Sequence, residues 1–201
     1  MNLDLSRVES VLPLVNWDSP QWAVLEAIWG YGVREGFLSN VSLSRPFSPD
    51  SVDVIERLGG DVLFWYQRNL YSSSRSTSID RYGLVGLSLL DLTQSSVILT
   101  EGVSDYLTMK FLYPDCNVLG FTTLGGNSKS TKILLSLFSE IVFIADNDFT
   151  KSTNTGLVSG LHLKRYYEGF GKVCQVYLPD LPYKDITQQF ISQCKIRSRE
   201  L

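Results

Sequence analysis

The sequence predicts an α/β protein: a parallel βαβ sheet flanked by helices over residues 94–201, preceded by a smaller mixed α/β subdomain over 1–93. Three observations carry this. From residue 96 onward, short apolar runs alternate with helix-patterned stretches, the rhythm of strand–helix–strand units. Several of those runs stop abruptly at acidic or glycine residues, as buried strands do where they meet a loop. Before residue 93 the rhythm is irregular, mixing one clear helix with strand-like and polar segments.

In the first segment, "SPQWAVLEAIWGYGV" (19–33) reads as a helix: Ser19 can cap it, Pro20 suits the first turn, and apolar residues recur at helical spacing. A second short helix is expected over "PFSPDSVDVIERLGG" (46–60), entered at Ser48-Pro49 and stopped by Gly59-Gly60. "DVLFWYQRNLY" (61–71) reads as a strand or hairpin arm, and "SSSRSTS" (72–78) as a polar loop. The regular half then gives strands at 96–100, 117–123, 141–146 and 173–178. Helices are expected at 103–113, 128–138, 155–170 and 184–194.

Composition sets the outer limits. A 201-residue chain that is 44% hydrophobic and 19% charged has the makeup of a soluble globular protein with a substantial core. No apolar run approaches the ~20 residues of a membrane helix, and the N-terminus lacks the basic-then-apolar pattern of a signal peptide. Cys116, Cys174 and Cys194 are scattered and form no zinc-type cluster, which suits a reduced, cytoplasmic setting. A net charge of −3 argues against a broadly basic nucleic-acid-binding surface. The charge is unevenly spread, however: residues 65–83 carry Arg68, Arg75 and Arg81 against Asp80 alone, and every lysine lies from Lys110 onward.

In a parallel sheet, ligands bind beyond the carboxyl ends of the strands. Here those ends are acidic. The first regular strand ends in Thr100-Glu101-Gly102, the third in Asp146-Asn147-Asp148, and the fourth leads to Lys184-Asp185 at the start of the last helix. If strand geometry persists, Asp146 and Asp148 face the same side and Asn147 turns away. Clustered carboxylates repel unless neutralised. Mg²⁺ does so with one or two carboxylates, waters and substrate phosphates. A DxD after an apolar run also occurs by chance at strand ends, and in phosphatases of the haloacid-dehalogenase type and sugar-nucleotide transferases. Asp105 alone would simply favour the first turn of its helix.

The combination is more specific. "VILTEGVSDYLTM" (97–109), a strand followed by "TTLGGN" (122–127), "IVFIADND" (141–148) with Asp146 placed 45 residues after Glu101, and "VYLPDLPYKD" (176–185) together resemble a Toprim domain over about residues 94–194. The resemblance implies that Glu101, Asp146 and Asp148 form the metal-binding, catalytic acidic set, holding Mg²⁺ or Mn²⁺ as two ions. Glu101 is then a ligand or a general base. Asp105 matches a second acidic position, and Lys184-Asp185 a Lys-Asp pair, of the primase branch. One departure is visible: primases follow DxD closely with a glycine and a basic residue, whereas Gly156 comes late here and Lys151 is the nearest cation. A longer loop and a relocated phosphate contact are expected. "TTLGGN" is either a phosphate-approaching turn or a plain one.

The flanks narrow the branch. The chain shows no GxxxxGK[ST] of an ATPase-linked nuclease and no clustered cysteines of a recombination mediator, but it does have a mixed α/β segment before the Toprim-like half. That arrangement is similar to the catalytic core of bacterial- or phage-type DNA primases. The resemblance implies RNA primer synthesis on a single-stranded DNA template from nucleoside triphosphates, with a replicative helicase as a partner and no membrane association. The first subdomain would then bind template or nucleotide through Arg68, Arg75 and Arg81, with Trp65, Tyr66 and Tyr71 able to stack bases; as ordinary structure, such aromatics are core and such arginines surface. His162 reads as a surface or packing residue. A Toprim nuclease and a catalytically silent Toprim adaptor are the alternatives.

Overall fold

In a computed structural model of the chain, residues 3–45, 48–72, 74–122 and 129–200 are described, with the backbone alone for Ser78. Two 3-10 turns (Ser6–Val8 and Leu12–Leu14) lead into helix α1 (Gln21–Arg34). The helix starts directly after Pro20, whose fixed φ suits that position. Ser19 falls one residue too early, and no side chain caps this end.

Four antiparallel strands follow, paired in chain order: β1 (Val41–Ser44), β2 (Ser51–Leu58), β3 (Asp61–Asn69) and β4 (Arg75–Asp80). The helix expected over 46–60 is therefore wrong; β2 occupies most of its described part. Val52 and Val54 are buried on one face. On the other, buried Asp53 accepts hydrogen bonds from Trp65 Nε1 (3.0 Å) and Gln67 Nε2 (2.9 Å). Gly59 and Gly60, with φ of +58° and +94°, form a two-residue hairpin turn, not a helix stop. The polar loop expected at 72–78 is likewise shorter. Its second half is β4, an edge strand whose polar side chains suit solvent and whose Arg75 lies opposite Arg68.

The second sheet has strand order β5-β7-β6-β8-β9, where β5 is Leu84–Val85, β6 Ser96–Glu101, β7 Val118–Phe121, β8 Glu140–Ile144 and β9 Val173–Tyr177. All neighbours are parallel except β5 against β7. Helices α2 (Val103–Leu112), α3 (Lys129–Leu135), α4 (Thr155–Glu168) and α5 (Ile186–Arg197) make the connections and the end. This is the parallel α/β half that the alternating pattern predicts. Only the short β5, two residues long, gave no periodic signal.

Side chains of β6, β7 and β8 alternate between two cores. Val97, Leu99, Leu119, Ile141 and Phe143 pack with Leu135, Phe138 and Tyr167 of the α3–α4 side. Ile98, Val118, Val142 and Ile144 pack with α2, α5 and α1. The second core crosses residue 93: Ile28 and Trp29 of α1 share it with Tyr106, Leu107, Phe111 and Phe190.

A buried acid also ties the two sheets together. Glu56, fully buried on β2, accepts hydrogen bonds from the Gly86 N–H (2.9 Å), the Ser88 N–H (2.8 Å) and Ser88 Oγ (2.6 Å). Asn40 Nδ2 reaches the same Ser88 Oγ (2.8 Å) and the hydroxyl of Tyr106 on α2 (3.2 Å). The turn that follows β5 is thus held to β2 of the first sheet.

Candidate active site

The chain leaves β6 to one side, toward β7, and returns to β8 on the other. The carboxyl ends of β6 and β8 are therefore neighbours at a topological switch point, in register at Thr100 and Ile144. Glu101 ends β6, and Asp146 and Asp148 follow β8. Gly102 turns the chain from Glu101 into α2 with φ of +105° and ψ of 168°, a conformation essentially confined to glycine. The glycine after Glu101 is thus a local necessity, since it lets the chain turn from the end of β6 into α2.

The acidic turn is rigidly held. The Asn147 N–H donates to the Lys184 carbonyl (2.5 Å) and Asn147 Nδ2 to the Pro179 carbonyl (3.3 Å). Asn154 caps α4 by accepting from the Leu157 N–H (3.1 Å). The same oxygen accepts from the Asp148 N–H (3.2 Å), while Asn154 Nδ2 donates to Asn147 Oδ1 (2.8 Å). Gly156 lies against the Asp146 backbone so closely that a Cβ there would sit 2.2 Å from the Asp146 carbonyl oxygen. The late glycine noted in the sequence therefore still packs on the acidic turn, reaching it from the first turn of α4.

Each carboxylate has a different environment. Asp148 Oδ2 accepts from Thr155 Oγ1 (2.5 Å) and Oδ1 pairs with Lys151 Nζ (2.9 Å). The Thr155 bond and Lys151 hold Asp148 below the usual carboxylate range. Asp146 Oδ2 pairs with Lys184 Nζ (3.2 Å), yet burial raises its pKa. Glu101 is pushed up to about 7 by burial and then by the charges of Asp146 and Asp148, and its Oε1 is buried with no hydrogen-bond partner among the described residues. Asp105, in the first turn of α2, is buried. Its Oδ1 accepts from the Thr187 N–H (3.2 Å) and Oγ1 (2.5 Å), and burial with nearby Asp185 drives its pKa well up. Asp185 caps α5 by accepting from the Gln188 N–H (2.8 Å) and is itself raised by burial.

The structure thus gathers Glu101, Asp105, Asp146, Asp148, Lys151, Lys184 and Asp185 at one end of the parallel sheet. Arg68, Arg75 and Arg81 belong to the antiparallel sheet and the turn after it. The Arg68 guanidinium lies 4.2 Å from the centre of the Trp22 ring, and Arg75 and Arg81 are exposed. Of the candidate stacking aromatics, Tyr66 is buried against Phe64, Trp65 is bonded to Asp53, and Tyr71 is exposed. Of "TTLGGN", only Thr122 lies within the described residues. His162 is exposed on α4. Sequence reasoning missed Asn154, Thr155 and Thr187; an Asn directly before a helical pattern is a cap signal that could have found the first.

Among the described residues, no three Asp, Glu, His or Cys side chains close around one point as a ready-made metal cage. The donors nevertheless suit a hard cation, being oxygens only and including the partnerless Glu101 Oε1. Mg²⁺ is held in this manner when substrate phosphates complete its shell.

Glu101→Gln gives a direct reading of this electrostatic load. Because the folded pKa, about 7, lies above the ordinary 4.5, the ionised form costs stability, a cost that grows as pH rises from 4.5 through 7. In metal-free buffer Glu101→Gln is expected to melt higher than the parent at pH 8, with the gap closing by pH 5. A gap independent of pH would contradict the assigned burial of that charge.

No family model matches the sequence, and no curated protein does. Solved structures do. A DnaG primase catalytic domain bound to single-stranded DNA matches with 12% identity and a TM-score of 0.54, over 98% of this chain and 68% of that one. A DNA primase domain from Pseudomonas aeruginosa matches with 18% identity and a TM-score of 0.52, over 88% and 58%. The primase fragment of the bacteriophage T7 primase-helicase matches with 14% identity and a TM-score of 0.51, over 83% and 67%. The chain spans 47% of an Aquifex aeolicus structure containing primase zinc-binding and RNA polymerase domains. No helix among the described residues is long and apolar enough to cross a membrane. These structural likenesses show that this chain has the fold of bacterial and phage DNA primase catalytic cores.

Proposed function

We propose that the chain is the catalytic core of a DNA primase, joining ribonucleotides on a single-stranded DNA template with the acidic set Glu101, Asp146 and Asp148. The observation that carries this is the partnerless, buried Glu101 Oε1 beside two further carboxylates at the switch point of a primase-type fold. Residues 94–201 would form the Toprim catalytic domain and 1–93 the template- and nucleotide-binding subdomain.

Two bound Mg²⁺ or Mn²⁺ ions would supply charge stabilisation for the attacking and leaving oxygens. The chain's own residues do the rest. Glu101, Asp146 and Asp148 provide the oxygen ligands. Asn147, Asn154 and Gly156 fix the turn that carries the two aspartates. Asp105, bonded to Thr187, ties α2 to the start of α5 and so sets Lys184 and Asp185 beside the acids. Glu101 reads best as a ligand, because a nearby divalent cation would draw off its proton and leave a weak base. A replicative helicase is the natural partner, in the cytoplasm of a bacterium or a phage-infected host.

Template binding falls to the antiparallel sheet. Arg68 and Arg75, opposite one another on β3 and β4, are each expected to contribute about one phosphate contact. Arg68→Ala and Arg75→Ala should each lower the salt dependence of single-stranded DNA affinity by about one unit of slope. Anisotropy titrations at several salt concentrations check this, and unchanged slopes would make the pair ordinary surface.

The function itself is tested by incubating the protein with single-stranded DNA, labelled ribonucleoside triphosphates and Mg²⁺ or Mn²⁺. Short, template-dependent ribonucleotide products are expected. A shortened template would mean a nuclease, and no change in either strand a silent adaptor.

A further inference from the structure

Both aspartates of the acidic turn already have a cation. Lys184 Nζ lies 3.2 Å from Asp146 Oδ2, and Lys151 Nζ lies 2.9 Å from Asp148 Oδ1. Their backbones are anchored next to those acids. The Lys184 carbonyl accepts the Asn147 N–H at 2.5 Å, and the Lys151 N–H donates to the Asp148 carbonyl at 3.0 Å. Their side chains, however, are 50% and 59% exposed, against 19% and 6% for the aspartates. Each lysine is fixed at its root, and its paired head is about half exposed to solvent. A divalent ion bound here needs the same oxygens that the ammonium groups now occupy, and pairs with one exposed partner are weak enough to be displaced.

We propose that Lys151 and Lys184 are resident counter-cations of the acidic site, displaced when a divalent ion enters. Their freed ammonium groups then take the phosphates of the incoming nucleoside triphosphate. This rests on reading Glu101, Asp146 and Asp148 as the metal centre. It has two consequences. Without nucleotide, the lysines compete with the ion and weaken its binding. With nucleotide, ion and nucleotide each tighten the other, since a lysine expelled by one is a ligand for the other. The arrangement also explains how three carboxylates coexist in the metal-free chain without the strand ends being forced apart.

The test uses Mn²⁺ and ATP with the whole chain and no template. Free Mn²⁺ is followed by electron paramagnetic resonance and ATP binding by equilibrium dialysis. Lys184→Met keeps the stem and removes the charge, and Lys184→Arg retains a cation. Without ATP, Lys184→Met is expected to bind Mn²⁺ about fivefold more tightly than the parent, as loss of one exposed pair allows, with Lys184→Arg close to the parent. The enhancement of ATP affinity by Mn²⁺ should shrink in Lys184→Met. Equal or weaker Mn²⁺ binding by Lys184→Met, while Asp146→Asn loses the ion, would overturn the counter-cation role and leave the metal centre standing. Unchanged Mn²⁺ binding in Asp146→Asn and Asp148→Asn as well would remove the metal centre itself. A melting curve for each variant separates either result from loss of fold.

Discussion

Asp146→Asn and Asp148→Asn should each reduce nucleotide transfer by roughly a thousandfold. Metal ions contribute several kcal/mol to such reactions, and each ~1.4 kcal/mol is a factor of ten. An amide keeps the shape but lacks the charge that holds a divalent ion. The two variants are expected to part company in stability. Asp146 carries a raised pKa, so its charge is costly in the fold, and Asn there should leave the melting temperature of the metal-free protein unchanged or slightly higher. The opposite holds for Asp148: its lowered pKa means that its ionised form stabilises the fold above about pH 4, a contribution lost as pH falls through the folded value. Asp148→Asn weakens the Thr155 and Lys151 contacts and should melt lower at pH 7. Single-turnover rates and thermal melts of both variants check this. Turnover close to the parent in either variant at saturating Mg²⁺ would remove that residue from the acidic set.

Glu56→Ala is expected to cost a large part of the stability of the chain. The carboxyl group is fully buried and is the acceptor for the Gly86 and Ser88 N–H groups and the Ser88 hydroxyl. Alanine leaves these donors without a partner and opens a cavity. Each orphaned buried donor costs about 1–3 kcal/mol, so a total of about 3–5 kcal/mol is reasonable against the 5–15 kcal/mol typical of a whole domain. For a chain of this length that corresponds to a fall in melting temperature of roughly 10 °C. Urea unfolding measures it directly. A loss below about 1 kcal/mol would show that the junction between the sheets does not depend on this acid.

The two halves of the chain differed in how much their residues disclosed. β6 and β8 are buried on both faces, so they appear as the apolar runs "SVILT" and "IVFIA", and the acids at their ends stand out for that reason. The glycine after Glu101 is dictated locally by its positive φ. In β2 the opposite holds. Asp53 and Glu56 interrupt its apolar pattern, and what justifies burying them lies elsewhere in the chain: Trp65 and Gln67 across the hairpin, Gly86 and Ser88 in a distant turn. No local pattern encodes such partners, so the segment passed for a helix. β4 was hidden by a different cause, since an edge strand facing solvent is free to be polar and reads as loop. At the site, the acids were legible, and the frame that aims them was not. Asn154, Thr155 and Thr187 act through hydrogen bonds whose partners are fixed only by the packing of α4 and α5.

If the acidic ends of β6 and β8 join nucleotides on a template, pyrophosphate release reports it most directly. With single-stranded DNA, ribonucleoside triphosphates and Mn²⁺, the protein should release one pyrophosphate per phosphodiester bond formed. Release should cease when the template is omitted and in Asp148→Asn. Shortening of the template without pyrophosphate release, or release at the parent rate from Asp148→Asn, would contradict it.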